Sequence, residues 1–208
     1  MLYFANPCGP RVVDAMRDNT LGFIDTPAQG NVRPAGVTWC ADNGCFSDKW
    51  DEAKWWQFLV DNAADAGTCR FAVAPDVVAD AAATMAKATP WLEPMHRLGY
   101  PVAWVVQDGQ ENLPMPWDRI DAVFIGGSTE WKLGPTARAL VAEAKRRGKW
   151  VHMGRVNSRR RFDYARLIGC DSVDGTYLTF GPDQNLPKLL GWVESSSQTF
   201  FNFEEVTA

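Results

Sequence analysis

Four polar side chains stand at the ends of short apolar runs, and their types suit chemistry on a bound molecule. Asp42 follows Val37-Thr38-Trp39-Cys40-Ala41, Asp76 follows Phe71-Ala72-Val73-Ala74-Pro75, and Gln107 follows Val102-Ala103-Trp104-Val105-Val106. Asp174 closes the hexapeptide Gly169-Cys170-Asp171-Ser172-Val173-Asp174, and a further run, Ala122-Val123-Phe124-Ile125, ends on Gly126-Gly127. Two carboxylates brought together can divide the labour of nucleophile and proton carrier. Singly, each feature has a plainer reading: an aspartate after a strand is commonly a cap or turn residue, and Gly-Gly a tight turn. Their recurrence is the signal, because a barrel of parallel strands gathers its strand-end residues at one rim.

The elements that must position these groups alternate along the chain. Strands are expected at Leu2–Ala5, Leu21–Asp25, Val37–Ala41, Phe71–Ala74, Val102–Val106, Ala122–Ile125, Trp150–Met153 and from Ser172. Helices are expected at Arg11–Arg17, after a cap at Ser47 or Asp48 (with Trp55, Trp56, Leu59 and Val60 on its apolar side), and over Ala79–Leu98. Others are expected at Pro135–Arg147, Ser158–Ile168 and Leu186–Val193, with Asp108–Arg119 a loop and the tail from Glu194 to Ala208 polar and irregular. Eight apolar runs alternating with helical ones predict a compact single-domain (β/α)8 TIM-like barrel over residues 1–208, its connections abbreviated to fit. An open doubly wound sheet is the other arrangement, but no Gly-rich dinucleotide loop supports it.

Composition narrows the partners. The chain has 208 residues, 46% of them hydrophobic, enough for one sizeable core. No apolar run has the length of a membrane span, and the start lacks a signal peptide's basic region and apolar core. Five cysteines without a CxxC pair suggest reduced thiols and a cytoplasmic setting, and two histidines leave little for a zinc cluster. From Thr136 to Arg166 ten Lys/Arg face only Glu143 and Asp163, a charge of +8 within a chain of net −4. Such a patch suits a polyanion such as nucleic acid, the alternative being a solvated helix face.

Taken in order, the motifs resemble the tRNA-guanine transglycosylase superfamily, which exchanges guanine for a 7-deazaguanine. The resemblance runs from Thr38 to Thr176 and is nearest to the shortened phage and bacterial branch that modifies DNA. Asp42-Asn43-Gly44-Cys45-Phe46 is similar to the family's Asp-Ser-Gly-Gly-Tyr/Phe, which makes Asp42 the acid/base carboxylate and Phe46 one face of a base sandwich. Pro75-Asp76 and Val106-Gln107-Asp108-Gly109 match segments whose Asp and Gln bind the guanine. Gly126-Gly127 matches a pair whose backbone N–H meets the purine O6. His152-Met153-Gly154 resembles Leu-Met-Gly, which implies that Met153 is the opposite sandwich face. Gly169–Asp174 resembles Gly-Ile-Asp-Met-Phe-Asp, whose last residue is the nucleophile, so Asp174 is expected to attack C1′.

Departures from the family pattern are equally specific. No cysteine follows Cys170 and no histidine follows His152, so the zinc subdomain of the tRNA enzymes is expected to be absent, with no metal and no cofactor. Phe180 stands where those enzymes read the anticodon loop with arginine, and Cys45 replaces a glycine. The implied activity is a DNA-guanine transglycosylase acting on a single-stranded or flipped-out guanine, with preQ0 or a related 7-deazaguanine as incoming base. Arg155, Arg159, Arg160 and Arg161 are expected to hold the nucleic-acid backbone. The alternatives are a minimal tRNA-guanine transglycosylase, an N-glycosidase, and a non-catalytic binder of nucleic acid or deazapurine. A homodimer is open, and a phage-encoded enzyme would work in the host cytoplasm. His152 reads as a core or rim histidine, and Asp80, Glu111 and Glu130 have no assigned role.

Overall fold

The computed structural model describes residues 1–47 and 50–204. Eight parallel strands close into a barrel in sequence order: β1 (Leu2–Ala5), β2 (Gly22–Asp25), β3 (Trp39–Ala41), β4 (Cys69–Val73), β5 (Val102–Val106), β6 (Ala122–Ile125), β7 (Trp150–Met153) and β8 (Ser172–Asp174). The ring is sealed where β1 pairs with β8, Phe4 lying opposite Asp174. Helices α1 (Pro10–Arg17), α2 (Glu52–Asp61), α3 (Ala81–Ala88), α4 (Leu92–Arg97), α5 (Thr129–Lys132), α6 (Pro135–Arg146), α7 (Arg159–Ile168) and α8 (Pro182–Glu204) connect the strands. The expected (β/α)8 barrel is what forms. It fits in 208 residues because the β2–β3 link has no helix and the β5–β6 link has only short 3-10 turns.

Local sequence explains most boundaries and several departures from expectation. Asp51, not Ser47, caps α2 by accepting from the Lys54 N–H at 3.0 Å, and Asp48 lies outside the described residues. On α2, Trp55 and Leu59 face the core while Val60 is exposed. The alanine-rich stretch is interrupted by a 3-10 turn, Thr89–Trp91, because Pro90 has no N–H to continue the helix. The segment expected to be an irregular tail from Glu194 continues α8 to Glu204, and residues 205–208 lie outside the described ones.

Two apolar layers follow from strand alternation. Phe4, Cys40, Phe71, Val73, Ala103, Val105 and Ala122 fill the barrel, while Tyr3, Phe23, Trp39, Ala72, Trp104, Val123, Val151, Met153 and Val173 pack outward under the helices. The inward series continues to the strand ends, where Asp42, Gln107, Gly126, Gly154 and Asp174 stand. Parallel strands buried on both faces hide this parity from the sequence. No helix among the described residues is long and apolar enough to cross a membrane.

Candidate active site at the C-terminal rim of the barrel

The C-terminal strand ends enclose a cavity of about 250 Å³ whose wall includes Asp42, Asp76, Gln107 and Asp174. Its floor is apolar, from Ile24, Val73, Val105 and Phe124, and Phe46 and Arg155 lie at its rim. The space exists because the inward positions above Phe124 are glycines. A Cβ on Gly154 would sit 2.7 Å from the Phe124 ring, and one on Gly126 would sit 2.8 Å from Gln107 Nε2.

One wall is a closed hydrogen-bond lattice around Asp76. Gln107 Nε2 donates to Asp76 Oδ2 (2.5 Å) and Asn43 Nδ2 donates to Oδ1 (2.8 Å). Gln107 Oε1 accepts from the N–H groups of Gly127 (2.7 Å) and Ala79 (2.9 Å). Burial raises the Asp76 carboxyl, with the hydrogen bonds from Asn43 and Gln107 opposing it. Gly126 N–H donates to the Val106 carbonyl (3.0 Å), so both N–H groups of Gly126-Gly127 have partners inside the protein. That corrects the expectation that they stand free for a purine oxygen.

The opposite wall carries the second carboxylate. Asp174 Oδ2 is 2.8 Å from His152 Nε2, and Oδ1 accepts from the Arg155 N–H at 3.1 Å. Arg155 has a positive φ of 61°, which turns its N–H inward, and its guanidinium bonds the Gly127 carbonyl and lies 5.0 Å over the Phe46 ring. Between the walls, Asp42 accepts from the Gly44 N–H (3.0 Å). Burial, reinforced by the nearby charge of Asp174, pushes the Asp42 carboxyl up to about 7. A carboxyl at that value can both release and accept a proton near neutrality.

Two side chains in this region were not picked out from the sequence. His152 is fully buried yet bonded to Asp174. Lys132 is buried on the four-residue α5, donates to the Gly154 carbonyl at 2.7 Å, and is lowered by burial to about 8. So short a helix has no periodicity to reveal it; the cue for His152 was its place on β7 between two residues of outward parity.

Met153 is the clearest correction. It is fully buried among the outward-facing core residues and contributes nothing to the cavity wall, because its neighbour His152 takes the inward position. The aromatic faces at the cavity are Phe46, mostly exposed, and Phe124.

The basic residues separate as well. Arg161 reaches the Arg155 carbonyl (3.4 Å) and Arg160 is exposed, whereas Arg159 is engaged by Asp163 (2.7 Å) and Ser195 (3.0 Å). Arg146 and Arg147 both pair with Glu143, at the far end of α6. Only part of the +8 stretch therefore belongs to the cavity's end of the barrel.

No protein-family model matches this chain, nor does any curated protein. Among solved structures, one similar chain is the PaMucR phosphodiesterase in complex with c-di-GMP. It is 14% identical, with a TM-score of 0.41, over 67% of this chain and 60% of that one. A likeness that shallow leaves function to the site itself.

Proposed function

We propose that the protein is a base-exchange enzyme, a transglycosylase that replaces guanine in DNA with a 7-deazaguanine through a covalent aspartyl–sugar intermediate. The observation that carries this reading is the pair of carboxylates on one small cavity: Asp174 held by two donors, and Asp42 at about 7 beside it. Two carboxyls with distinct environments are what a retaining exchange at an anomeric carbon uses.

In this reading an Asp174 oxygen attacks C1′ and the C1′–N9 bond breaks. Its electron pair goes to N9 of guanine, which takes the proton from Asp42. The incoming base then returns its N9 proton to Asp42, its N9 attacks C1′, and the Asp174 carboxylate departs. Asp76 keeps acceptor capacity for guanine's ring and exocyclic N–H groups, and the second Gln107 amide hydrogen can meet an acceptor on the base. Phe46 supplies a stacking face at the rim, and the cavity is below the roughly 300–1,000 Å³ typical of drug-sized ligands, in keeping with a single heterocycle. Arg155, Arg160 and Arg161 supply positive charge for the flanking phosphates, and Phe180 replaces the anticodon-reading arginine, which favours DNA over tRNA.

Nucleoside mass spectrometry of DNA and tRNA from cells expressing the protein with a preQ0 supply tests this. A 7-deazaguanine in DNA is the expected result. The same base in tRNA alone would make it a tRNA enzyme, and abasic sites without it would make water the acceptor. Either of those outcomes, or DNA and tRNA both left unchanged, would overturn the proposal.

A further inference from the structure

His152 takes part in none of the steps above, yet it is bonded to the nucleophile within a chain of four buried or half-buried groups. Trp150 Nε1 lies 2.8 Å from Ser172 Oγ, Ser172 Oγ lies 2.9 Å from His152 Nδ1, and His152 Nε2 lies 2.8 Å from Asp174 Oδ2. The imidazole is fully buried, among the rings of Phe4, Phe71 and Phe124 at centroid distances of 5.8, 5.1 and 4.6 Å.

Only one arrangement of hydrogens satisfies this chain. The indole N–H can only donate, so Ser172 Oγ accepts from Trp150. The single hydroxyl hydrogen of Ser172 then goes to His152 Nδ1, its other partner in the chain. Nδ1 is thereby an acceptor, the ring hydrogen sits on Nε2, and Nε2 donates to the carboxylate. Moving that hydrogen to Nδ1 would set a ring lone pair against an acceptor-only carboxylate oxygen at 2.8 Å. Protonating both nitrogens would leave the Ser172 hydrogen without an acceptor in a fully buried site.

We propose that His152 is the positioning residue of the nucleophile, a neutral imidazole locked as the Nε2–H tautomer by Ser172 and Trp150, which fixes the Asp174 carboxylate in one orientation. This rests on Asp174 being the group that attacks C1′. With Arg155 N–H on the other oxygen, the carboxylate plane is pinned at both ends. The same hydrogen bond favours the free carboxylate over its ester, so it aids departure of Asp174 from the sugar when the second base arrives.

Long-range 1H–15N spectra of the substrate-free protein test the lock directly. The wild type should show the Nε2–H tautomer at His152. Ser172→Ala should keep it, since Asp174 still accepts from Nε2, but should move the Nδ1 resonance to that of an unbonded ring nitrogen. An unmoved Nδ1 resonance would overturn the part given to Ser172. An Nδ1–H or doubly protonated ring in the wild type would overturn the proposal. In exchange assays, His152→Phe should lower kcat by about 10²-fold while KM stays within about threefold, and should raise the fraction of covalent adduct in quenched reactions. His152→Gln, which keeps a donor near the Nε2 position, should recover most of that loss. A Phe variant with wild-type kcat would also overturn it. If that variant fails to fold, the Ser172→Ala spectrum decides. If the wild type exchanges no base at all, the proposed function fails while the tautomer measurement stands by itself.

Discussion

Asp171 and Asp174 stand at opposite ends of β8, and their surroundings differ as the two ends of the barrel differ. Asp171 accepts two bonds from Lys145 Nζ (2.6 and 2.7 Å) and one from the Val151 N–H (2.8 Å). At the same end Asp121 bonds His96 (2.9 Å) and the Val102 N–H (2.7 Å), and Lys149 reaches the Ile120 carbonyl (2.7 Å). Charges there meet opposite charges or backbone and tie strand beginnings together. At the other end Asp42, Asp76 and Asp174 share one cavity, burial shifts Asp42 and Asp76 upward, and Lys132 spends its hydrogen bond on a carbonyl. One end of the ring is compensated for stability, and the other holds acidic groups in tension, the usual division in such barrels.

The largest expected effect separates the two ends of β8. Asp174→Ala should cut base exchange by roughly 10⁴-fold or more and abolish the covalent adduct seen on denaturing gels with labelled DNA. Asp171→Ala should leave the adduct intact and instead lower stability by about 1–3 kcal/mol in urea titrations, chiefly from the unpaired Val151 N–H. Loss of the adduct from the Asp171 variant, with Asp174→Ala still forming it, would invert the comparison.

A smaller effect concerns the strained end alone. Because Asp42 rises from 3.8 to about 7 on folding, the native state binds more protons than the unfolded chain between those values. Its contribution is present at low pH and is lost as pH rises through about 7, on the order of 2–4 kcal/mol. Asp25 and Asp76 are also raised and act with the same sign. Urea unfolding at pH 5 and pH 8 should therefore show a fall in stability that Asp42→Asn reduces without erasing. An identical fall in the variant would remove Asp42 from the set of strained groups.

How far these contrasts could be read beforehand depends on the kind of signal. The barrel was legible because each strand is an apolar run closed by a polar residue, and Asp42, Asp76, Gln107 and Asp174 do converge on one cavity. The facing of β7 was not legible. Trp150, Val151, His152 and Met153 are all partly or fully buried, so nothing in their polarity says which alternate residues look inward, and Met153 was placed on the wrong side. The occupied N–H of Gly127 was hidden too, since it depends on where Gln107 folds back, whereas that of Gly126 continues the β5–β6 ladder to the Val106 carbonyl. The charge run Thr136–Arg166 was visible as composition, but its division between the barrel's two ends follows only from topology.

The smallest effect tests that division. Replacing Arg155, Arg160 and Arg161 with glutamine should lower the slope of log K against log salt for DNA by about 0.7–0.9 per lost phosphate contact. Replacing Arg146 and Arg147, paired with Glu143 at the other end, should leave the slope unchanged. Equal changes in both variants would mean that DNA does not distinguish the two ends.

The seam between β1 and β8 carries a consequence for how the molecule is assembled. Phe4 and Asp174 are register partners although most of the chain lies between them. Until that seam closes, the first and last strands each present a bare edge, and bringing such distant segments together is the slow, entropically costly kind of contact. The carboxylate at the end of β8 takes its hydrogen bonds from the β7 side, but it shares one cavity with Asp42 and Asp76 only once that seam has closed. An incompletely closed chain would thus lack the cavity as well as being prone to edge-to-edge association, and the onset of the proposed exchange would report the zipping of the ring.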